Sequence, residues 1–271
     1  MVNLYLDGKI ALVTGSTSGI GREISKALIR EGATVHGIGR RGDRHIENAR
    51  EFGSGYRYTV VDLLEKGSIE RVAEDVKRLY NRVDILVNNA GTYKAADFSQ
   101  HTPGEIERIL DLNLRTPIQM YRAVIDINIP EQVVWICSRA GLGHYPYESV
   151  YEATKHGMKA FVLSAAKEHE KTRHVVVYPG FVLTELTGQL ELPDYLKRDL
   201  EEEMAIVDPI TVVEPLINLM KTVEGSIHVS FIPAKEGVYM NLLKPLEEEA
   251  ADFELVKPEL LAGGVVPLIE K

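Results

Sequence analysis

The chain is short of cysteine, tryptophan and basic charge, and these shortages narrow what it can be. Cys137 is the single cysteine, so an internal disulfide framework and a cysteine-built zinc site are both excluded, and no metal is expected. Lysine and arginine total 31 against 40 acidic residues, a net charge of −9. That balance disfavours nonspecific binding to nucleic acid or anionic membrane, which needs clustered cations. No apolar run approaches the ~18 residues of a membrane span. Asp7-Gly8-Lys9 interrupts the N-terminus before a signal-peptide core develops. The expectation is a soluble cytoplasmic protein with neither a nucleic-acid nor a membrane partner.

What is present is a rhythm. With 271 residues, 45% of them hydrophobic, the chain can bury one large core. Short β-branched runs recur at 10–14, 33–38, 58–61, 83–87, 133–137 and 175–178. Runs without polar alternation predict strands covered on both faces, as in a parallel sheet. Helical periodicity fills the intervals at about 20–31, 65–81, 104–124, 150–171 and 209–223. The alternation predicts a single three-layer α/β domain, a doubly wound and mostly parallel sheet of Rossmann type, over residues 1–245. Residues 181–207 form a long excursion and read as a substrate lid. Ser226–Ile232 and Val238–Leu243 are rival candidates for the last strand, and 246–271 is a tail.

The first strand runs directly into Thr14-Gly15-Ser16-Thr17-Ser18-Gly19-Ile20-Gly21. Glycines there permit a sharp turn and close approach of a pyrophosphate to the backbone, with the helix N-terminus facing the anion. The spacing is not that of a P-loop, and no Lys-Ser/Thr follows Gly21. The second strand ends at Gly39-Arg40-Arg41, where an NAD site usually carries a carboxylate and a 2′-phosphate calls for arginine. Arg40 can make charge-assisted bonds to such a phosphate, so NADP(H) is preferred, with NAD(H) the second candidate.

Tyr151 and Lys155 are four residues apart and share a helical face. A free phenol titrates near ~10, and a fixed cation beside it lowers that value. The pair is thus suited to pass a proton to and from a carbonyl oxygen as hydride moves at carbon. Ser138 falls at the carboxyl end of the fifth strand, the edge where open parallel sheets bind ligands, and its hydroxyl can hold the substrate oxygen.

With these parts in order, residues 7–190 resemble the classical short-chain dehydrogenases/reductases. The resemblance rests on Thr14–Gly21, Asn88-Asn89-Ala90-Gly91, Asn113, Ser138, the Tyr151/Lys155 pair and Pro179-Gly180. It implies that Tyr151 is the general acid/base, that Ser138 orients the carbonyl or alcohol, and that Lys155 binds ribose and lowers the tyrosine pKa. Asn113 is implied to hold a water in a proton relay reaching Lys155. Asp62, with Leu63, is implied to meet the adenine. Asn89, Ala90 and Gly91 would line the cofactor, and Pro179, Gly180, Val182 and Thr184 would close over the nicotinamide. A homodimer or homotetramer is implied as well. Toward the C-terminus the family pattern is lost.

The implied activity interconverts a secondary alcohol and a ketone. The substrate stays open between a sugar or polyol, a hydroxy acid, a 3-oxoacyl compound and a small aliphatic ketone. Thr92-Tyr93-Lys94 and Arg139–Tyr145 should border the pocket. The competing reading is a non-catalytic NADP-binding regulatory protein on the same fold. A lyase or epimerase with a larger substrate domain is disfavoured by the 92 residues left after Pro179.

Overall fold

The computed structural model describes residues 6–188, 207–222, 225–234 and 237–243. Eight strands, β1 (Ile10–Thr14), β2 (Thr34–Gly39), β3 (Tyr56–Val60), β4 (Ile85–Asn88), β5 (Gln132–Ile136), β6 (Arg173–Pro179), β7 (Ile227–Ala234) and β8 (Gly237–Leu243), form one sheet in the order β3-β2-β1-β4-β5-β6-β7-β8. The first seven are parallel, and β8 returns antiparallel to β7. The rival last strands are thus both strands, paired as a hairpin from His228 against Leu243 to Ala234 against Gly237. Strand order reverses between β1 and β4, so the crevice at their carboxyl ends is the switch point where such sheets take ligands.

The helices among the described residues are α1 (Gly19–Arg30), α2 (Gly42–Phe52), α3 (Ser68–Tyr80), α4 (Pro103–Leu110), α5 (Thr116–Ile125), α6 (Ser149–Glu168), the single turn α7 (Glu185–Gly188) and α8 (Pro209–Thr222). Alternate strand residues face opposite layers, as pleating requires. Val13, Val35 and Val177 pack with Ile24 and Leu28 of α1 and Leu216 of α8. Leu12, Leu86, Trp135 and Val176 pack with Val72, Met120 and Val162 of α3, α5 and α6.

Two helices depart from expectation. α2 is absent from the periodicity because its buried side is polar: His45 and Asn48 are buried whereas Ile46 is exposed. Asn48 Nδ2 donates to the carbonyl of Ser16 at 3.0 Å, so the helix braces the glycine turn. The helix expected over 104–124 is interrupted by a π turn at Asp111–Arg115. Pro117 has no N–H for the carbonyl of Asn113. The pairing slips by one residue, and Thr116 donates to Asp111. A capping box at Thr102/Glu105 fixes the start of α4.

Val182 bridges Val207, and the Leu183 amide donates to the Val207 carbonyl at 2.8 Å, so the start of the expected lid is anchored. Residues 189–206 of that lid and the expected tail at 246–271 lie outside the described residues.

Candidate active site

The glycine turn is held from beneath. Gly15 and Gly19 adopt φ of +67° and +53°, the left-handed region that favours glycine. The Asn89 amide donates to the carbonyls of Thr14 at 2.9 Å and Gly15 at 3.2 Å, while the amides of Asn89 and Ala90 both donate to Thr14 Oγ1 at 3.0 Å. A Cβ at Gly21 would stand 2.3 Å from Asn89 Nδ2, and one at Gly19 would stand 3.0 Å from Thr184. The turn thus presents bare backbone toward Thr184. Ser18 gives α1 no side-chain cap bond, leaving the first-turn N–H groups for an outside acceptor. Such a cradle fits a dinucleotide phosphate.

Beside it, Arg41 Nη2 donates to Thr17 Oγ1 at 3.1 Å and Ser18 Oγ at 2.6 Å, and the guanidinium also pairs with Glu185. Arg40 is more exposed and reaches Asp62 at 3.5 Å. Asp62 Oδ1 accepts from the Leu64 amide at 3.0 Å. Of the two arginines expected at a 2′-phosphate, Arg41 is the one the structure brings to the turn. A cleft of ≈ 590 Å³ is bordered by Thr17, Ser18, Gly19, Arg44, Thr184 and Glu185. Arg40, Asp62 and Asn89–Gly91 do not border it, so it is not the whole of the expected groove. Leu63 and Val182 are buried in the core, and Ile20 packs against it. Leu63 and Val182 can meet a ligand only through their backbone, whereas Ile20 is only partly buried.

A second pocket of ≈ 120 Å³ lies at the ends of β5 and β6 and contains Ser138, Tyr151, Pro179 and Gly180, joined by Tyr93, Arg139 and Glu148. The sequence places Ser138 there because β5 ends in a one-turn 3₁₀ segment, which the serine caps by accepting from the Ala140 amide at 3.2 Å. Ser138 and Tyr151 line this pocket together, and the serine side chain acts to lower the phenol. Lys155 is buried one turn further along α6, with Nζ 5.4 Å from the centroid of the Tyr151 ring and donating to the Ile136 carbonyl at 3.1 Å.

Burial pushes the Tyr151 phenol up, with the Ser138 side chain opposing it, and burial lowers Lys155, whose ammonium lies over the tyrosine ring and bonds the Ile136 carbonyl. Asn113 is buried, and its side chain spends both polar ends on Thr92, donating from Nδ2 at 2.8 Å and accepting at Oδ1 at 2.8 Å. It clamps the segment that follows Gly91. Sequence reasoning missed Glu148, Glu185 and Arg44. For Glu148 the available signal was its position three residues before Tyr151, within one turn of α6.

A doubly wound sheet with a glycine turn at its switch point defines a Rossmann-type dinucleotide-binding enzyme fold. The short chain dehydrogenase family model matches residues 9–194, and the chain belongs to that family of oxidoreductases. It is 31% identical over 214 residues to a 3-oxoacyl-[acyl-carrier-protein] reductase of Aquifex aeolicus, covering 76% of this chain and 86% of that one. It is 34% identical over 190 residues to a D-beta-hydroxybutyrate dehydrogenase of Cupriavidus necator, covering 67% and 73%. Among solved structures, the closed form of a serine dehydrogenase complexed with NADP+ superposes with a TM-score of 0.74 at 27% identity, covering 83% of this chain and 94% of that one. A putative NAD(P) dependent gluconate 5-dehydrogenase from Beutenbergia cavernae with bound NADP gives 0.75 at 27%, covering 84% and 96%. No helix among the described residues is long and apolar enough to cross a membrane.

Proposed function

We propose that this chain is an NADP(H)-preferring reductase/dehydrogenase interconverting a ketone and a secondary alcohol, with Ser138, Tyr151 and Lys155 as its catalytic set. The observation that carries the reading is that Ser138 and Tyr151 line the pocket that also contains Pro179 and Gly180, with Lys155 buried one turn further along α6. NADP(H), when bound, supplies or accepts the hydride. The two hydroxyls would hold the substrate oxygen between them. In reduction Tyr151 gives its proton to that oxygen as charge develops there, and in oxidation it takes the proton back. Lys155 keeps N–H donors beyond the one given to Ile136 and would hold ribose hydroxyls.

The glycine turn from Gly15 to Gly21, with Asn89, Ala90 and Gly91, would line the nucleotide, and Thr184 would close over it. Arg41, with Arg40, would take a 2′-phosphate, because both are cations at the end of β2 and Arg41 already bonds Thr17 and Ser18. Asp62 would lie toward the adenine. The chain would act as one catalytic domain with a lid over 181–207. It would assemble as a homodimer or homotetramer in the cytoplasm, pairing α4–α5 and α6 between subunits.

The test is Tyr151→Phe. It should retain NADPH binding and lose ~10²–10⁴-fold in turnover of any ketone the wild type reduces. Near-normal turnover would remove Tyr151 from the mechanism.

A further inference from the structure

One buried pocket residue has no part in that chemistry. Glu148, at the N-cap of α6, is 8% exposed. Its Oε1 accepts a hydrogen bond from the Tyr93 phenol at 2.6 Å. The Tyr93 ring stands edge-on to Tyr151, with centroids 4.8 Å apart. Glu148, Tyr93, Ser138 and Tyr151 therefore line one small space, ≈ 120 Å³, well below the ~300–1,000 Å³ of sites for drug-sized ligands.

A carboxyl in that position sorts substrates by charge. Ionised, it accepts from a hydroxyl and repels a carboxylate; a bound carboxylate would have to keep it protonated, at a further cost to binding. Its charged neighbour is another carboxylate, Glu152, which with burial pushes Glu148 up, against the pull of the Tyr93 bond. Arg139 borders the same pocket but is partly exposed, where solvent weakens its claim on an anion.

Resting on the ketone–alcohol reading above, we infer that Glu148 is a specificity residue. Its carboxyl accepts the remote hydroxyl of a small neutral hydroxy ketone or polyol, and it disfavours carboxylate-bearing and long-chain acyl substrates. A minimal probe is 4-hydroxybutan-2-one. Its reduction takes a hydride from NADPH at the carbonyl carbon and a proton at the oxygen, giving butane-1,3-diol and NADP+. Acetoacetate is the matched anionic ketone, with a carboxylate in place of the hydroxymethyl group.

The experiment compares kcat/KM for these two ketones in the wild type and in Glu148→Gln, following loss of NADPH absorbance. The wild type should favour the neutral ketone by at least ~10-fold, and Glu148→Gln should erase at least that much of the preference. A second measurement does not depend on the glutamine variant folding. Calorimetric titration of Tyr151→Phe with NADP+ present should show butane-1,3-diol binding at least ~10-fold tighter than 3-hydroxybutyrate. A preference for acetoacetate, or a ratio that Glu148→Gln leaves unchanged, overturns the inference and shifts recognition to Arg139. Turnover of neither probe also overturns it. The ketone–alcohol reading then survives if other carbonyl compounds are reduced in a Tyr151-dependent way, and falls if none is.

Discussion

Gly21→Ala is the sharpest test of how the glycine turn is held. The added Cβ would lie 2.3 Å from Asn89 Nδ2 and 2.4 Å from the Gly15 carbonyl oxygen, closer than real contacts permit. Neither neighbour is free to yield, because that amide is the group donating to Thr14 and Gly15. Overpacking of this kind costs ~1–3 kcal/mol, and each amide bond released adds ~0.5–1.5 kcal/mol. Alanine returns ~1 kcal/mol through helix propensity, since the position lies in α1. The net loss is ~2–3 kcal/mol, or roughly 4–12 °C in Tm for a domain of this size. Gly104→Ala is the control: it is also helical, nothing lies within 4 Å of its added Cβ, and propensity alone should hold or slightly raise Tm. Thermal unfolding followed by circular dichroism distinguishes the two. A Gly21→Ala variant as stable as Gly104→Ala would refute the claim that Asn89 is rigidly committed to the turn.

Arg41→Ala should weaken NADPH binding by ~1.5–3 kcal/mol, the worth of a charge-assisted bond, while barely touching NADH. Arg40→Ala should do less, and an equal loss of both nucleotides in Arg41→Ala would remove the case for a 2′-phosphate contact. Acid should unfold the protein early. Burial lowers His36, His45, His174 and His228 to about 4, whereas in the unfolded chain histidine titrates near ~6.5. The unfolded state therefore binds more protons between those values. Stability should fall as pH drops from ~6.5 toward ~4, by up to ~1.4 kcal/mol per pH unit for each histidine. A Tm that stays level from pH 7.5 to 4.5 would contradict this.

The layers were legible because buried parallel strands and amphipathic helices write themselves as apolar periodicity: β1, β4, β5 and β6 fall within two residues of their expected runs at each end. Motifs that act through the backbone were equally plain, since Gly15 and Gly19 carry the positive φ their spacing suggests. Legibility ended where burial is polar or pairing is nonlocal. α2 hides His45 and Asn48 rather than a hydrophobic stripe, so no apolar period marks it. The π turn depends on Pro117 acting on a carbonyl one turn back. Glu148 reads as a solvated charge until Tyr93, 55 residues away in sequence, is folded against it. The sequence chemistry of Tyr151 and Lys155 placed them on one face correctly, but proximity on a helix does not say which atom an ammonium addresses.

Without nucleotide, burial raises the Tyr151 phenol and the Lys155 ammonium bonds Ile136. The difference in tyrosinate absorbance between wild type and Tyr151→Phe should therefore show no ionisation below the ordinary phenol value of ~10. Ser138→Ala removes the one side chain that lowers the phenol and should push any ionisation still higher. Adding NADP+ asks whether Lys155 then turns toward the phenol: a tyrosinate signal moving toward neutral pH, and lost in Lys155→Met, would show the lysine acting only once its ribose partner is present. A Tyr151-dependent signal near pH 7 in the nucleotide-free protein would mean the ammonium already addresses the phenol oxygen. The geometry at Ile136 would then not be the arrangement the protein holds in solution.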